Sequence, residues 1–165
     1  MRVYGVTGWK NAGKTGLMER LVTEFTARGL RVSTLKHAHH SFDVDHEGKD
    51  SHRHRTAGAH QVLLSSARRW ALMTELRDVP EPPLETLLTA LAPVDLVLIE
   101  GWKRGGHPKV EAWRRAAGHP LIAPDDPTIR AIAADAPPPQ VADRPVFDLD
   151  DTAAVADFIA AELGL

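Results

Sequence analysis

At 165 residues and 43% hydrophobic composition, the chain is long enough to bury one core of two or three layers, the size of an ordinary domain. Its 20 Lys and Arg against 22 Asp and Glu leave a formal charge of −2, which excludes a nucleic-acid binder held by a broad basic surface. The absence of cysteine excludes disulfides and thiolate metal sites.

In chain order, Val3 to Thr7 is a short apolar run closed by Gly8, and Leu17, Leu21, Val22 and Phe25 then fall on one helical face across Thr15 to Arg28. The opening MRVYGVTG has no long apolar core behind its one basic residue, and no stretch is long enough to span a bilayer, so the cytoplasm is the expected location. Gly29 stands just past the helix, where a left-handed cap is easiest for glycine, and Arg31 to Lys36 reads as a second strand. A strand, helix, strand unit of this length predicts a parallel pair with a right-handed crossover.

Residues 37–60, HAHHSFDVDHEGKDSHRHRTAGAH, break the pattern with seven of the nine histidines and almost no aliphatic core. They read as a polar insert or a solvated loop within a single domain spanning 1–165. Gln61 to Ser65 and Trp70 to Thr74 follow as short strands joined around Ser66 to Arg69, and Leu84 to Leu91 is a helix entered after Pro82-Pro83. Val94 to Ile99, VDLVLI, is a nearly continuous apolar strand, as expected of one covered on both faces. A Gly/Pro-rich turn (Lys103 to Pro108) leads to strands near Lys109 to Trp113 and at Ile129 to Ala134, then to the loop Ala136 to Gln140. Val146 to Leu149 is a last strand, and Thr152 to Leu163 is a helix with Asp150 or Asp151 placed to cap it. The class is α/β.

The segment Gly8-Trp9-Lys10-Asn11-Ala12-Gly13-Lys14-Thr15 fits G-x-x-x-x-G-K-[ST], preceded by a strand and opening a helix. Loop and helix-start N–H groups converge there with the positive end of the helix dipole, which suits a di- or triphosphate. The nucleotide-binding candidates are Gly8, Lys10, Asn11, Ala12, Gly13, Lys14, Thr15 and Gly16, with Lys14 reaching the outer phosphates and Thr15 offering its hydroxyl to Mg²⁺. The plain alternative is a glycine turn carrying a stray lysine. Glu100, ending the buried VDLVLI strand, stands where a carboxylate for that ion is needed; otherwise it is an exposed strand-end charge. No N-K-x-D for guanine appears in the later strands, where Asp125, Asp126 and Asp135 are the available acids.

Several blocks together resemble the molybdopterin-guanine dinucleotide biosynthesis protein B (MobB) family: GWKNAGKT, Lys36-His37-Ala38-His39-His40, Phe42-Asp43-Val44-Asp45, Gly48-Lys49-Asp50-Ser51, Arg53-His54 and Ala57-Gly58-Ala59. Glu100-Gly101-Trp102-Lys103 and Pro108-Lys109-Val110-Glu111 extend the match over most of residues 1–114. The resemblance implies a P-loop NTPase fold, with a mostly parallel sheet flanked by helices, that binds GTP with Mg²⁺ and commonly forms a homodimer. It further implies an accessory role, with slow GTP hydrolysis, beside the MobA guanylyltransferase that joins GMP to molybdopterin. Gly16 departs from the family, where a second Thr is common, and glycine in a first helical turn costs up to about 1 kcal/mol relative to alanine. Lys10 does not occupy the signature-lysine place of related dimeric ATPases.

The histidine-rich insert admits two readings: a Zn²⁺ or Ni²⁺ site, as in a metal-delivery GTPase, or donors for the phosphate of a second ligand, with Asp43 or Asp45 near the Mg²⁺. The resemblance favours the second. The metal candidates are thus Thr15, Asp45 and Glu100, and the candidates for a second anion or ligand are His37, Lys49, Asp50, Arg53 and Lys103, with molybdopterin among the candidate partners. A small-molecule P-loop kinase or ATP-dependent ligase is the competing enzyme class, with Arg53, Arg55, Arg68 and Arg69 readable as its lid. A homodimer is expected because the family is dimeric and Trp70, Trp102 and Trp113 offer apolar area beyond what a small core absorbs.

Overall fold

The computed structural model describes residues 1–38, 42–139, 141 and 143–165, and the chain divides into two compact units, 1–37 with 91–165, and 38–90. The sequence reading sets 37–60 apart as an insert in one domain; the second unit also takes in the strands and helix that follow it. The first unit begins with β1 (Arg2–Thr7), α1 (Lys14–Ala27) and β2 (Val32–Lys36). The second holds α2 (Asp50–Thr56), β3 (Gln61–Ser65), β4 (Trp70–Thr74) and α3 (Leu84–Thr89). The chain returns to the first unit with β5 (Leu96–Glu100), β6 (Lys109–Trp113), β7 (Ile129–Ala134), β8 (Val146–Asp148) and α4 (Thr152–Leu163).

All pairings in the six-stranded sheet are parallel, and the order β2-β5-β1-β6-β7-β8 follows from right-handed crossovers leaving β1 in opposite directions. Every strand therefore ends on the same edge, and the switch between the two directions lies beside β1, where open α/β sheets bind ligands. One face presents Tyr4, Val6, Leu96, Leu98, Val110, Ala112, Ala131 and Ala133 to Leu17, Leu21 and Phe25 of α1 and Val155, Ala156 and Ile159 of α4, all fully buried. Each such Leu or Phe contributes about 1.5–3 kcal/mol through burial, which fixes α1 over the central strands. On the opposite face, Trp113, Ile132 and Ala134 pack with Leu121 and Ala123 of the loop between β6 and β7. Trp113 is thus absorbed by the core, which corrects its use as surplus apolar area; Trp70 is 66% exposed.

The helix ends follow their sequence signals. Gly29, at φ 86°, lets its N–H reach Thr26 O at 3.0 Å and Leu30 N–H reach Phe25 O at 3.1 Å. Asp151 caps α4 by accepting from Ala154 N–H at 3.0 Å. In the second unit β3 and β4 form an antiparallel hairpin, closed by the Ser66 hydroxyl, which donates to Arg69 O and accepts from the N–H groups of Arg68 and Arg69. Where the sequence reading expects only loop, Asp50–Thr56 is helical. Its residues, DSHRHRT, carry no apolar stripe, so periodicity is silent on it. Arg55 of α2 instead draws the segment before it inward, donating to Asp43 at 2.7 Å and Asp45 at 2.8 Å, with Glu75 at 3.4 Å.

Candidate nucleotide-binding site

β1 runs into the loop through Gly8, whose φ of 139° is open to glycine, and a Cβ there would lie 2.4 Å from Ala112 O of β6. Gly13, at φ 95°, starts α1 without a side-chain cap. The amides of the first turn and the positive helix terminus are thereby left to the loop's own concavity. Between them Asn11 also has positive φ, 64°, and Ala12 N–H donates to Trp9 O at 3.3 Å. Ala12 is buried, whereas Lys10 and Asn11 are exposed.

Lys14 Nζ donates to Trp9 O at 2.6 Å, so the ammonium lies back over the loop. Burial holds it below the usual lysine range; Glu100 opposes that shift, while Lys103 and Lys36 add to it. A partly buried ammonium facing other cations gains from an incoming anion. The Thr15 hydroxyl donates to Glu100 Oε1 at 3.1 Å, and Lys36 Nζ reaches the same oxygen at 3.1 Å. Parallel register explains the meeting: Glu100 pairs with Val6 on one side and with Lys36 on the other. Gly101 follows at φ 89° and donates its N–H to Val6 O at 3.1 Å. A groove of about 430 Å³ opens from this cluster between α1 and β2, lined by Thr15, Met18, Val22, Thr34, Lys36 and Glu100. Gly16 sits on the first turn of α1, where a Cβ would be 3.4 Å from Arg20 Nη1. Arg20 in turn donates to Leu149 O at 2.6 Å and to Thr152 Oγ1 at 2.9 Å, tying α1 to the start of α4.

The other candidates fall into separate groups. His37 stacks on Trp102 with ring centroids 4.6 Å apart, and Lys103 Nζ lies 3.8 Å over the Trp9 ring, both in the first unit. Lys49, Asp50 and Arg53 are exposed in the second, with Arg53 N–H donating to Lys49 O at 3.0 Å one turn away. Asp45 is also in the second unit; Arg55 holds its carboxyl below the usual carboxylate range. His39 and His40 lie outside the described residues, as does Gln140. Among the described residues no three His, Asp or Glu side chains gather as a metal-binding cluster.

Sequence reasoning missed a set of buried polar anchors on the sheet face opposite α1. Glu111, fully buried and raised above the usual range by that burial, accepts from Ile122 N–H at 2.8 Å and Ala123 N–H at 2.8 Å. It fixes the loop whose Pro120 carbonyl accepts the Trp9 indole N–H at 2.8 Å. Lys109, also fully buried, donates to Gly105 O and Thr128 Oγ1 and lies 3.6 Å from Asp126. Strand direction sorts the three acids considered for the base: Asp125 and Asp126 precede β7, on the far edge from the loop, while Asp135 follows it. No helix among the described residues is long and apolar enough to cross a membrane.

The family model for molybdopterin guanine dinucleotide synthesis protein B, MobB, matches residues 3–135. The chain is 40% identical over 154 residues, 92% of its length and 87% of the relative's, to a molybdopterin-guanine dinucleotide biosynthesis adapter protein of Escherichia coli K12. It is 41% identical over 160 residues to the protein of that description from Haemophilus influenzae, covering 95% and 86% of the two chains. Among solved structures it is similar to Bacillus subtilis MobB, with TM-score 0.74, 27% identity and 99% and 98% of the two chains covered. A MobB homolog from Bacillus stearothermophilus gives TM-score 0.71 and 29% identity over 99% of both chains. The fold is that of the P-loop NTPases, and on the matched residues 3–135 and these identities the chain belongs to the MobB family.

Proposed function

We propose that this chain is an adapter in the biosynthesis of molybdopterin guanine dinucleotide: a cytoplasmic, homodimeric, GTP-binding protein working beside a MobA-type guanylyltransferase that joins GMP to molybdopterin. Family membership supports the pathway. The nucleotide reading is carried by the Thr15 hydroxyl meeting Glu100 at 3.1 Å at the mouth of the Gly8–Gly16 loop. Hydroxyl and carboxylate oxygens fit a hard ion, so Thr15 and Glu100 would hold Mg²⁺, which when bound neutralises charge on the outer phosphates. Gly8 and Gly13 shape the loop; Lys10, Asn11, Ala12 and Gly16 border it, and Lys14 leaves Trp9 O for phosphate. Lys49 at the cap of α2 and Arg53 one turn along it are the proposed donors to a second anion, the molybdopterin phosphate, with Asp50 between them; in the first unit His37 and Lys103 are proposed as ligand-binding side chains in their own right. Asp45 acts through Arg55 in shaping that segment. Hydrolysis on this reading is slow and secondary to the adapter role. The kinase or ligase and metal-delivery alternatives are not favoured, since neither accounts for the family match.

Titration with GTP, with and without Mg²⁺, tests the reading in wild type and Lys14→Ala. The variant should lose at least about tenfold in affinity, because charge-assisted bonds are worth roughly 1.5–3 kcal/mol each, and its melting temperature should hold. Undiminished GTP affinity would overturn the P-loop assignment. A reconstituted assay of guanine dinucleotide formation with the guanylyltransferase tests the adapter role, and no stimulation by wild type would refute it.

A further inference from the structure

Trp9, the second residue of the phosphate loop, engages two ammonium groups at once. Its carbonyl accepts from Lys14 Nζ at 2.6 Å, and Lys103 Nζ stands 3.8 Å from the centre of its ring, in the geometry of a cation–π contact. The ring is itself fixed, because its indole N–H donates to Pro120 O at 2.8 Å and its plane meets the His119 ring at 5.5 Å between centroids. Glu100, the acid nearest to Lys103 in sequence, is engaged by Lys36 and Thr15 instead. The mouth of the loop thus gathers Lys14, Lys36 and Lys103 around the Glu100 carboxylate, and Lys103 and Lys36 both act on Lys14. Three cations on one anion leave an excess of positive charge that a polyphosphate neutralises.

The placement of Lys103 is built by an unusual turn. After β5 the chain passes through Gly101 at φ 89° and Trp102 at φ 43°, two consecutive left-handed residues, and the second is a bulky side chain in a conformation that such residues rarely adopt. The turn persists because its surroundings hold it: Gly101 N–H donates to Val6 O at 3.1 Å, Gly105 N–H donates to Trp102 O at 3.0 Å, and the Trp102 ring lies on His37. Strain held in this way gathers at functional sites. Its effect here is to return the third side chain after Glu100 to the loop, so Lys103 arrives from the strand that carries the metal carboxylate. Mg²⁺ on Thr15 and Glu100 would join the outer phosphates, while the loop amides cradle the inner ones. A cation entering from the Glu100 side, beside Lys14, faces the outer end of that chain of phosphates. We propose that Lys103 is a second phosphate lysine of this protein: Trp9 holds its ammonium over the loop, where it meets the terminal phosphate of a nucleoside triphosphate and separates triphosphate from diphosphate. The proposal rests on the P-loop reading above and deepens it, since a diphosphate keeps Lys14, the metal pair and the cradle but lacks the group that Lys103 meets.

Equilibrium titration of the full chain with Mg²⁺ tests it, comparing β,γ-imido-GTP with GDP and β,γ-imido-ATP with ADP, so that base preference cancels in each ratio. Lys103→Ala should lower the preference for triphosphate about tenfold, the scale of one charge-assisted hydrogen bond, with diphosphate affinity held within about twofold. Lys103→Arg, which keeps the charge, should retain most of the preference. Trp9→Leu removes the ring beneath the ammonium and should lower the preference as well; added to Lys103→Ala it should lower it no further, because the ring acts through the lysine. Equal loss of diphosphate and triphosphate in Lys103→Ala would make the lysine a general loop contact and overturn the proposal. So would an unchanged preference, or a Trp9 effect that adds in full to that of Lys103. If Lys14→Ala abolishes binding of all four nucleotides while Lys103→Ala changes none, this proposal alone fails; if Lys14→Ala changes none, the P-loop reading fails and this proposal with it.

Discussion

Acidification should loosen the segment that carries Trp102 and Lys103 toward the nucleotide loop, and His107 is the reason. Its ring occupies a slot between two glycines: a Cβ on Gly5 or on Gly105 would stand 2.6 Å from it. Neither ring nitrogen has a hydrogen-bond partner among the described residues. Burial first, and the Lys109 ammonium second, lower its pKa from 6.5 to about 4, with Asp126 opposing. The native state thus holds a neutral imidazole, while the unfolded chain takes up a proton between pH 6.5 and about 4. Stability is fully present above the unfolded value and is lost as pH falls through the native one. At about 1.4 kcal/mol for each tenfold in the proton equilibrium, the interval corresponds to about 3 kcal/mol. Two neighbours titrate alongside: Glu111, raised by burial, loses stability in the opposite direction, as pH rises, and Asp126, held low by Thr128 and Lys109 against its own burial, matters only in stronger acid. The comparison is therefore between chains. Urea unfolding at pH 7 and pH 4.5 should show a larger acid loss in wild type than in His107→Phe, which keeps a planar ring and cannot titrate. Equal losses would refute the reasoning, and an imidazole resonance titrating near 6.5 in the wild type would do so without any variant.

Thr15→Ala should weaken GTP binding chiefly when Mg²⁺ is present; an equal loss in EDTA would remove the hydroxyl from the metal. Glu100→Gln should behave likewise in titration calorimetry, with little change in melting temperature, because its pairing with Lys36 involves an ammonium 62% exposed and exposed pairs contribute about 0–1 kcal/mol. Gly8→Ala should cost about 1–3 kcal/mol through backbone strain, read as a melting temperature lower by several degrees together with lost nucleotide affinity, since the new Cβ meets the β6 backbone; an unchanged melt would show that β1 and β6 can part there. Lys49→Ala combined with Arg53→Ala should spare GTP affinity and lower stimulation of guanine dinucleotide formation; unchanged stimulation would reduce those side chains to solvated surface.

What could be read from the chain before folding, and what could not, divides by the distance over which each feature is specified. The phosphate loop is local: Gly8 through Thr15 dictate positive φ, an uncapped helix start and a lysine beside it, and the strand and helix flanking them announce themselves by apolar period. Glu100 was legible because it closes the unbroken apolar run VDLVLI and so marks where that strand ends. α2 was not legible, because seven polar residues carry no hydrophobic period and the helix is held by Arg55 reaching carboxylates on both sides of it in sequence. Lys36 and Glu111 were hidden for a different reason. Each acquires its place from contacts across the fold: strand order sets Lys36 beside Glu100, and Glu111 meets the amides of Ile122 and Ala123. The three aspartates make the same point most sharply: Asp125, Asp126 and Asp135 are equivalent in composition, and only the direction of β7 puts the third on the edge that carries the Gly8–Gly16 loop. Function in this fold is written partly in a short motif and partly in which strand ends happen to be neighbours.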